Sequence, residues 1–314
     1  MVLASRTSVN VLLYWDPSSD SNRQIRLENE TWLASSLVQN AMGLQVVSVI
    51  LFVLAADKFS AVITGAMCAT GSLLANAYGM PTLYVKLVGV FLYGFWIVLH
   101  KLDISRANYP LLRVKYIYLM ALLPFMLLDI GLQSAYLYNL HPNIITSCCA
   151  VVYSEGQGGG MNLIGSMPKA WLLGLFYGTV LLLYGLGVII YKRKGLIWQI
   201  MDGAIWLFFI VLSLVAITSV FSSYVYAMPY HHCPFCILKP QYHYIGFLIY
   251  LTLFPAAFFG LSGPVLEIFN KGDLRPLVSG YQRLAVKLSL ALMTIFIITV
   301  SYHYIVYNFL GGER

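Results

Sequence analysis

The chain has 314 residues, of which 60% are hydrophobic and only 10% carry a charge. Soluble domains usually carry about 25% charged residues, so this composition leaves too little polar surface for a water-exposed globule and excludes a soluble domain. The net charge of +7 does not indicate a nucleic-acid partner, because Lys and Arg gather between apolar runs. That distribution is expected of a protein surrounded by membrane lipid.

We predict a polar N-terminal arm at residues 1–32, followed by eight apolar spans. The spans are 33–56, 60–78, 80–101, 113–138, 169–191, 196–228, 241–269 and 286–308. Several exceed the roughly 20 apolar residues that cross a bilayer as a helix. Spans 60–78 and 80–101 are short and can alternatively form a re-entrant pair, which would leave fewer full crossings. The predicted fold is an all-α polytopic membrane helix bundle with about eight transmembrane helices.

Basic residues predict the orientation of these spans. They fall in alternate connections, at Lys58, at 101–115, at 192–194 and at 271–287. Basic connections stay on the cytoplasmic side of a membrane, so loops 139–168 and 229–240 are expected on the opposite face. We therefore predict an integral protein of the bacterial inner membrane, with these two loops on the oxidising periplasmic side.

Four of the five cysteines lie in those two outward loops. Cys148 and Cys149 are adjacent in the first loop, and Cys233 and Cys236 form a Cys-Pro-Phe-Cys box in the second. A CxxC box at a helix N-terminus is a suitable redox unit, because the helix dipole stabilises a thiolate and the spacing permits a disulfide. We expect the box to begin the helix of span 241–269.

Two other interpretations of the paired cysteines remain open. The two pairs can form structural disulfides that join the outer loops. Cys233 and Cys236 can also bind zinc or copper together with His231 and His232, although we assign no metal ligand among the predicted site residues. Cys68 falls within span 60–78, and we interpret it as an inert packing residue.

The order of spans and cysteines resembles the vitamin K epoxide reductase family over about 113–270. Ser147-Cys148-Cys149-Ala150-Val151-Val152-Tyr153-Ser154 is similar to the family's Ser-Cys-x-x-Val-x-x-Ser stretch, and the Cys-Pro-Phe-Cys box is similar to its CxxC. Residues 164–170 and 174–177 resemble its Gly-x-Pro segment before the second helix. The resemblance implies a four-helix redox unit at 113–270. The apolar runs predict additional transmembrane helices at 33–112 before it, and a cytoplasmic loop with a last transmembrane helix at 271–314 after it.

The resemblance also implies a relay of electrons. A substrate thiol pair would reduce the loop cysteines, these would reduce the CxxC box, and a non-covalently bound quinone would accept the electrons. Cys236 would face the quinone, and Cys233 would exchange with the loop. Cys148 matches the family's second loop cysteine, but residues 139–147 hold no first one, and Cys149 is adjacent instead. The chain has no thioredoxin-like domain, so a separate thioredoxin-like protein is the expected partner.

Two further residues are candidate quinone contacts. Asp129 lies inside an apolar span, where an ionisable side chain indicates a functional site. It can supply protons to a quinone, form a buried ion pair with Lys86, or bond to the backbone. His243, near the outer end of span 241–269, can bind a quinone carbonyl, ligate haem, or pack at the membrane interface.

These features predict a membrane thiol-disulfide oxidoreductase that transfers electrons between outward-facing cysteine pairs and a membrane quinone. The alternative is a non-enzymatic, disulfide-stapled membrane subunit of a redox or transport complex, with a bound metal or haem. The two differ in chemistry, because a relay requires exchangeable disulfides and a structural staple does not.

Overall fold

The computed structural model describes residues 2–16, 21–106, 108–141, 143, 146, 168–192, 195–228, 231–309 and 311. Within these ranges the regular elements are all helical, which confirms the predicted all-α class. The α-helices are α1 (Val2–Tyr14), α2 (Asn22–Phe59), α3 (Ala69–Leu73), α4 (Gly79–Asp103), α5 (Leu112–Tyr138), α6 (Lys169–Lys192), α7 (Leu196–Ala216), α8 (Ser222–Tyr226), α9 (Ile245–Glu267) and α10 (Arg275–Phe309).

Seven helices in the described ranges are long and apolar enough to cross a membrane, so the chain is an integral membrane protein. The predicted span 60–78 is wrong, because this segment contains only the five-residue helix α3 between turns. Gly65 has a φ of +84°, and a Cβ there would lie 2.4 Å from the Thr146 carbonyl oxygen. A continuous helix is incompatible with that backbone conformation.

The chain folds into two compact units. Unit 1 comprises Met1–Ile63 and Ser72–Ile144, and unit 2 comprises Thr64–Gly71 and Ile145–Arg314. The short segment 64–71 therefore belongs to the same unit as the C-terminal half of the chain.

Unit 1 is built from α1, α2, α4 and α5 around an aromatic and aliphatic core. Trp96 and Tyr116 are fully buried at its centre, and Val11 of α1 joins the same cluster. Residues 1–32, predicted as a polar arm, instead form α1 and the first turns of α2. The difference arises because α1 packs on α2 and α5 and buries Ala4 and Val11 in the core.

Unit 2 contains α6 to α10, with an aromatic cluster between the helices. The ring of Phe176 packs within 6.2 Å, between centroids, of three other phenylalanine rings, those of Phe209, Phe221 and Phe296. Helices α7 and α9 approach closely at Gly260, where a Cβ would lie 2.3 Å from the Trp206 ring. This contact brings together the two helices that flank the Cys-Pro-Phe-Cys box.

A π-helical turn at Ile217–Phe221 joins α7 to α8. The Thr218 and Ser222 hydroxyls donate hydrogen bonds to the carbonyls of Leu214 and Thr218. The helix ends at Tyr226, where Ala227 adopts a left-handed φ of +53°. Turns of this kind are frequent at functional sites, and this one directly precedes the segment that carries the box.

Candidate functional site

Three cysteine side chains meet in unit 2, and we call Cys68, Cys233 and Cys236 the cysteine cluster. Their sulfurs all lie within 4.8 Å of one another, and Cys68 Sγ is 3.4 Å from Cys233 Sγ. Cys68 and Cys233 are fully buried, and Cys236 is 7% exposed. A disulfide bond is about 2.05 Å long, so Cys68 and Cys233 are in contact without being bonded to each other.

Two tyrosine hydroxyls hold the backbone of the box. Tyr226, at the end of α8, donates a hydrogen bond to the Cys233 carbonyl, and Tyr250 of α9 donates one of 2.7 Å to the Pro234 carbonyl. The helices before and after the box therefore both position its first turn. Because the carbonyls of a tight turn are otherwise difficult to satisfy when buried, these bonds also remove an energetic penalty.

The segment that carries Cys68 is joined to the box by polar contacts. The Lys239 ammonium group donates a hydrogen bond to the Met67 carbonyl, next to Cys68. The Thr70 hydroxyl lies 3.3 Å from Cys233 Sγ. The Thr146 backbone N–H donates to the Thr64 carbonyl at 3.0 Å, so chain from the 139–168 loop also reaches this segment.

The expectation that the box begins the helix of span 241–269 is wrong. Cys236 begins a single 3-10 turn, Cys236–Leu238, and α9 does not begin until Ile245. His243 and Tyr244 adopt left-handed φ values of +53° and +56° before the helix. These turns separate the cysteines from the N-terminus of α9, so the dipole of that helix does not act directly on either thiol.

The expectation that Cys68 lies within a membrane span is also wrong. Cys68 lies in the connection between α2 and α4, in contact with Cys233. Its place beside Cys233 was missed because the segment was assigned to a membrane span. Gly65 and Gly71, with Thr70 between them, were the sequence signal that this span is interrupted.

Cys148 and Cys149 lie outside the described residues. Their predicted participation in the relay stays a prediction. The alternative metal set of two cysteines and two histidines differs from the observed grouping. In the part of the chain that the structure describes, the potential ligand atoms within 4.8 Å of one another at this site are three sulfurs.

His231 and His232 precede the box directly, and His231 is half-buried against Tyr226, with ring centroids 4.5 Å apart. Burial lowers the pKa of His231, and His232 acts in the same direction, whereas Cys68 acts in the opposite one. The neutral imidazole is therefore favoured beside the cysteine cluster, and a neutral imidazole can accept a proton.

The predicted ion pair between Asp129 and Lys86 is confirmed within unit 1. Lys86 Nζ is 3.1 Å from Asp129 Oδ1, and both side chains are at most 2% exposed. Gln45 Nε2 donates to Asp129 Oδ2 at 3.4 Å, and Lys86 donates to the Ser48 hydroxyl at 3.2 Å. Asp129 belongs to unit 1 and the cysteines to unit 2, so a role of Asp129 in quinone chemistry stays a prediction.

Two further polar residues, the candidate His243 and the unexpectedly buried Lys115, lie outside the groups described above. His243 is exposed in the turn before α9, and its predicted contact with a quinone stays a prediction. Lys115, interpreted from the sequence as a cytoplasmic surface charge, is instead buried in unit 1, where its ammonium group is 2.7 Å from Asp103 Oδ2. Asp103 lies at the end of α4 and Lys115 at the start of α5, on either side of a short connection. Two opposite charges placed in this way were the sequence signal for a second ion pair.

Neither a protein-family model, nor a curated protein, nor a solved structure matches this chain. The resemblance to the vitamin K epoxide reductase family therefore depends on the motifs and on the order of spans. The cysteine cluster is the feature from which a function can be inferred independently of that resemblance.

Proposed function

We propose that this protein is a membrane thiol-disulfide oxidoreductase that exchanges disulfides at the cysteine cluster and transfers the electrons to a membrane quinone. The 3.4 Å contact between Cys68 Sγ and Cys233 Sγ carries the proposal. A third sulfur beside a CxxC pair is the arrangement that thiol-disulfide exchange requires, because the attacking sulfur must reach one sulfur of the bond.

The exchange step balances without an external oxidant. With a Cys233–Cys236 disulfide, the Cys68 thiolate attacks Cys233, the Cys68–Cys233 bond forms, and Cys236 leaves as a thiolate. The proton lost from Cys68 is available to Cys236, and the neutral imidazole of His231 is a suitable carrier. In the overall reaction, an external thiol pair loses two electrons and two protons and becomes a disulfide. A quinone accepts two electrons and two protons and becomes a quinol.

The burial of the cluster assigns separate tasks to the cysteines. A soluble thiol protein has no direct access to sulfurs that are fully buried or 7% exposed. Cys148 and Cys149 are therefore the proposed contact with the soluble partner, as the family resemblance implies, and Cys236 is proposed to face the quinone. The cluster would transfer electrons between these two points.

The seven spans support a periplasmic position for the site in a bacterial inner membrane. Segment 60–78, which carries Cys68, is then a connection between two spans. It lies on the same face as the connections 139–168 and 227–244. The opposite connections, 104–111, 193–195 and 268–274, carry or adjoin the basic residues that favour the cytoplasmic side. Lys58, first placed with those basic residues, then falls on the periplasmic side, and Cys68 joins the face that holds the other four cysteines.

A trapping experiment tests the exchange. In Cys236→Ser, Cys233 loses its partner in the box, and we expect a Cys68–Cys233 disulfide in the isolated protein. Peptide mapping by mass spectrometry without reduction would identify the bond. A bond from Cys233 to Cys148 or Cys149 would instead assign the exchange to the loop, and a reduced Cys233 under oxidising conditions would contradict the proposal.

An activity measurement tests the electron transfer. Wild-type protein in nanodiscs with a short-chain quinone and a dithiol should form quinol, measured by absorbance. Cys68→Ala, Cys233→Ala and Cys236→Ala should each lower the rate by at least about 100-fold, because each removes a sulfur of the exchange. Tyr244→Phe, an exposed change near the site, is the control and should retain the wild-type rate.

The burial of the cysteine cluster also favours a second candidate function, that of a structural subunit whose loops are joined by disulfides. Sulfurs shielded from solvent form bonds that resist reduction. Incubation of oxidised protein with mild dithiol separates the two functions. Exchange within minutes favours the oxidoreductase, whereas bonds that open only after denaturation favour the staple.

A further inference from the structure

We infer that the reduced cysteine cluster binds one Cu(I) ion through the sulfurs of Cys68, Cys233 and Cys236. The inference depends on the positions of these sulfurs and does not require the proposed exchange with a quinone. It differs from the zinc or copper set that the sequence left open as an alternative, because Cys68 takes the place of the two histidines.

The spacing of the sulfurs suits a single metal ion. Metal–thiolate bonds of a d¹⁰ ion are about 2.3 Å long, so three sulfurs around one ion in a plane lie about 4 Å apart. The cluster has one separation of 3.4 Å and none above 4.8 Å. Shifts of a few tenths of an ångström in each side chain would therefore complete a three-coordinate site.

The donor set favours Cu(I) over other biological metals. Thiolates are soft ligands, which select Cu(I), zinc and iron–sulfur clusters and disfavour magnesium, calcium and manganese. Structural zinc sites are almost always closed by four ligands. In the described part of the chain, no imidazole or carboxylate completes the group of three sulfurs. The Thr70 hydroxyl, 3.3 Å from Cys233 Sγ, is a poor zinc ligand.

Burial and charge are consistent with a monovalent soft ion. Cys68 and Cys233 have no solvent exposure, which protects Cu(I) from water and oxygen. Lys239 places an ammonium group on the Met67 carbonyl, next to Cys68, where it offsets part of the negative charge of the thiolates. Cu(I) replaces the protons of the three thiols on binding, so the affinity should rise with pH.

Metal binding and disulfide exchange exclude each other at this site. A Cys68–Cys233 or Cys233–Cys236 disulfide removes two of the three donors, so the oxidised protein should release the ion. Binding by the reduced protein can therefore be measured without a quinone or a thiol partner. Failure to bind Cu(I) would leave the exchange proposal intact, and failure of exchange would leave metal binding intact.

The experiment titrates Cu(I) into the full-length protein in detergent, reduced by a phosphine and kept free of oxygen. Bicinchoninate, a coloured Cu(I) chelator, reports the ion that the protein does not hold. We expect one Cu(I) per chain, and at least a tenfold loss of affinity in Cys68→Ser, Cys233→Ser and Cys236→Ser. The control is Cys148→Ser with Cys149→Ser, which should bind as the wild type does.

Three results would overturn the inference. The first is an equal loss of affinity in the Cys148/Cys149 control. The second is retention of zinc(II) but not Cu(I) against a matched chelator. The third is an X-ray absorption spectrum of the copper-loaded protein with nitrogen or oxygen ligands in place of three sulfurs. Where a serine variant does not fold, the wild-type protein is alkylated with and without Cu(I). The cysteines that Cu(I) protects from alkylation are the ligands, and protection of other cysteines would also overturn the inference.

Discussion

At the scale of single residues, the buried charges of unit 1 occur as ion pairs with additional hydrogen bonds. Lys86–Asp129 and Lys115–Asp103 each join α4 to α5, at 3.1 Å and 2.7 Å. A buried charge without its partner is strongly destabilising, whereas replacement of the whole pair by apolar residues is often tolerated. The pairs therefore restrict how the two helices can move past each other.

The first prediction concerns the Lys86–Asp129 pair. Lys86→Met or Asp129→Leu alone should destabilise the protein by about 3–5 kcal/mol, and the double variant should cost far less, because no charge is then left alone. Thermal unfolding in detergent would measure these differences. Asp129→Asn, which retains a hydrogen-bonding oxygen for Gln45, should be milder than Asp129→Leu.

Leu128→Met, an exposed change on the same helix, is the control for this cycle and should change the stability by less than about 0.5 kcal/mol. Additive losses in the double variant would mean that the two charges do not interact energetically.

The second prediction concerns His231 and pH. Its pKa is lowered in the folded protein, chiefly by burial, so the folded state holds this imidazole neutral while the unfolded chain takes up a proton more readily. Stability from this group is complete above the unfolded pKa of about 6.5 and is lost as the pH falls through it towards the lower folded pKa. His231→Gln should therefore reduce the loss of melting temperature between pH 8 and pH 5.

His243→Gln is the matched control, because this histidine is exposed. It should leave the pH dependence of the melting temperature as in the wild type. The same dependence in His231→Gln as in the wild type would show that burial of His231 does not contribute to acid sensitivity.

At the scale of elements, the connection 60–78 shows where apolar composition misled the sequence prediction. Its hydropathy resembled that of the true spans, but hydropathy does not register a glycine with positive φ or a close backbone contact. The Gly65–Thr146 contact joins residues 81 positions apart, and no local pattern encodes it. Cys68 was therefore recognisable as a neighbour of the box only once this segment was known to form turns in place of a continuous helix.

The third prediction tests the close contact of α7 and α9. Gly260→Ala places a methyl group 2.3 Å from the Trp206 ring, so the helices must separate. We expect a loss of about 1–3 kcal/mol, the usual cost of overpacking. Gly178→Ala in α6 is the control, because no atom lies within 4 Å of its Cβ position. A neutral Gly260→Ala in thermal unfolding would show that the helices can part without cost.

The fourth prediction concerns the tyrosines that hold the box. Tyr226→Phe and Tyr250→Phe each remove one hydrogen bond to a backbone carbonyl of the box, at a cost of about 1–3 kcal/mol for the buried acceptor left behind. Hydrogen exchange at residues 231–238 should become faster in both variants. Tyr302→Phe, an exposed tyrosine of α10, is the control. Unchanged exchange would mean that other contacts hold the turn.

At the scale of the whole molecule, composition and charge were sufficient for the class of fold. The all-α membrane bundle, seven of the eight predicted spans and the Lys86–Asp129 pair followed from hydrophobic runs and rare buried charges. The cysteine cluster did not follow, because it depends on a contact between segments 165 positions apart. Long spans are encoded locally, whereas the site depends on the tertiary fold.

The fifth prediction concerns the orientation of the entire chain. Single cysteines placed at Met67, Asn108 and Gln241 in a cysteine-free background report the two faces of the membrane, since all three positions are exposed. An impermeant maleimide should label positions 67 and 241 in intact cells and position 108 only after lysis. If only one of positions 67 and 241 is labelled in intact cells, the two lie on different faces. That result would contradict the seven-span topology and the common face of the cysteines.

The π turn at Ile217–Phe221 sets the rotational phase between the two ends of one membrane helix. A π turn contains one more residue than an α turn, and each helical residue rotates the chain by about 100°. Removal of one residue here would leave Phe209 in the aromatic core but rotate Tyr226 away from the Cys233 carbonyl. The backbone position of the cysteines can thus be altered by a change in helix register at one turn, without substitution of any residue in the site.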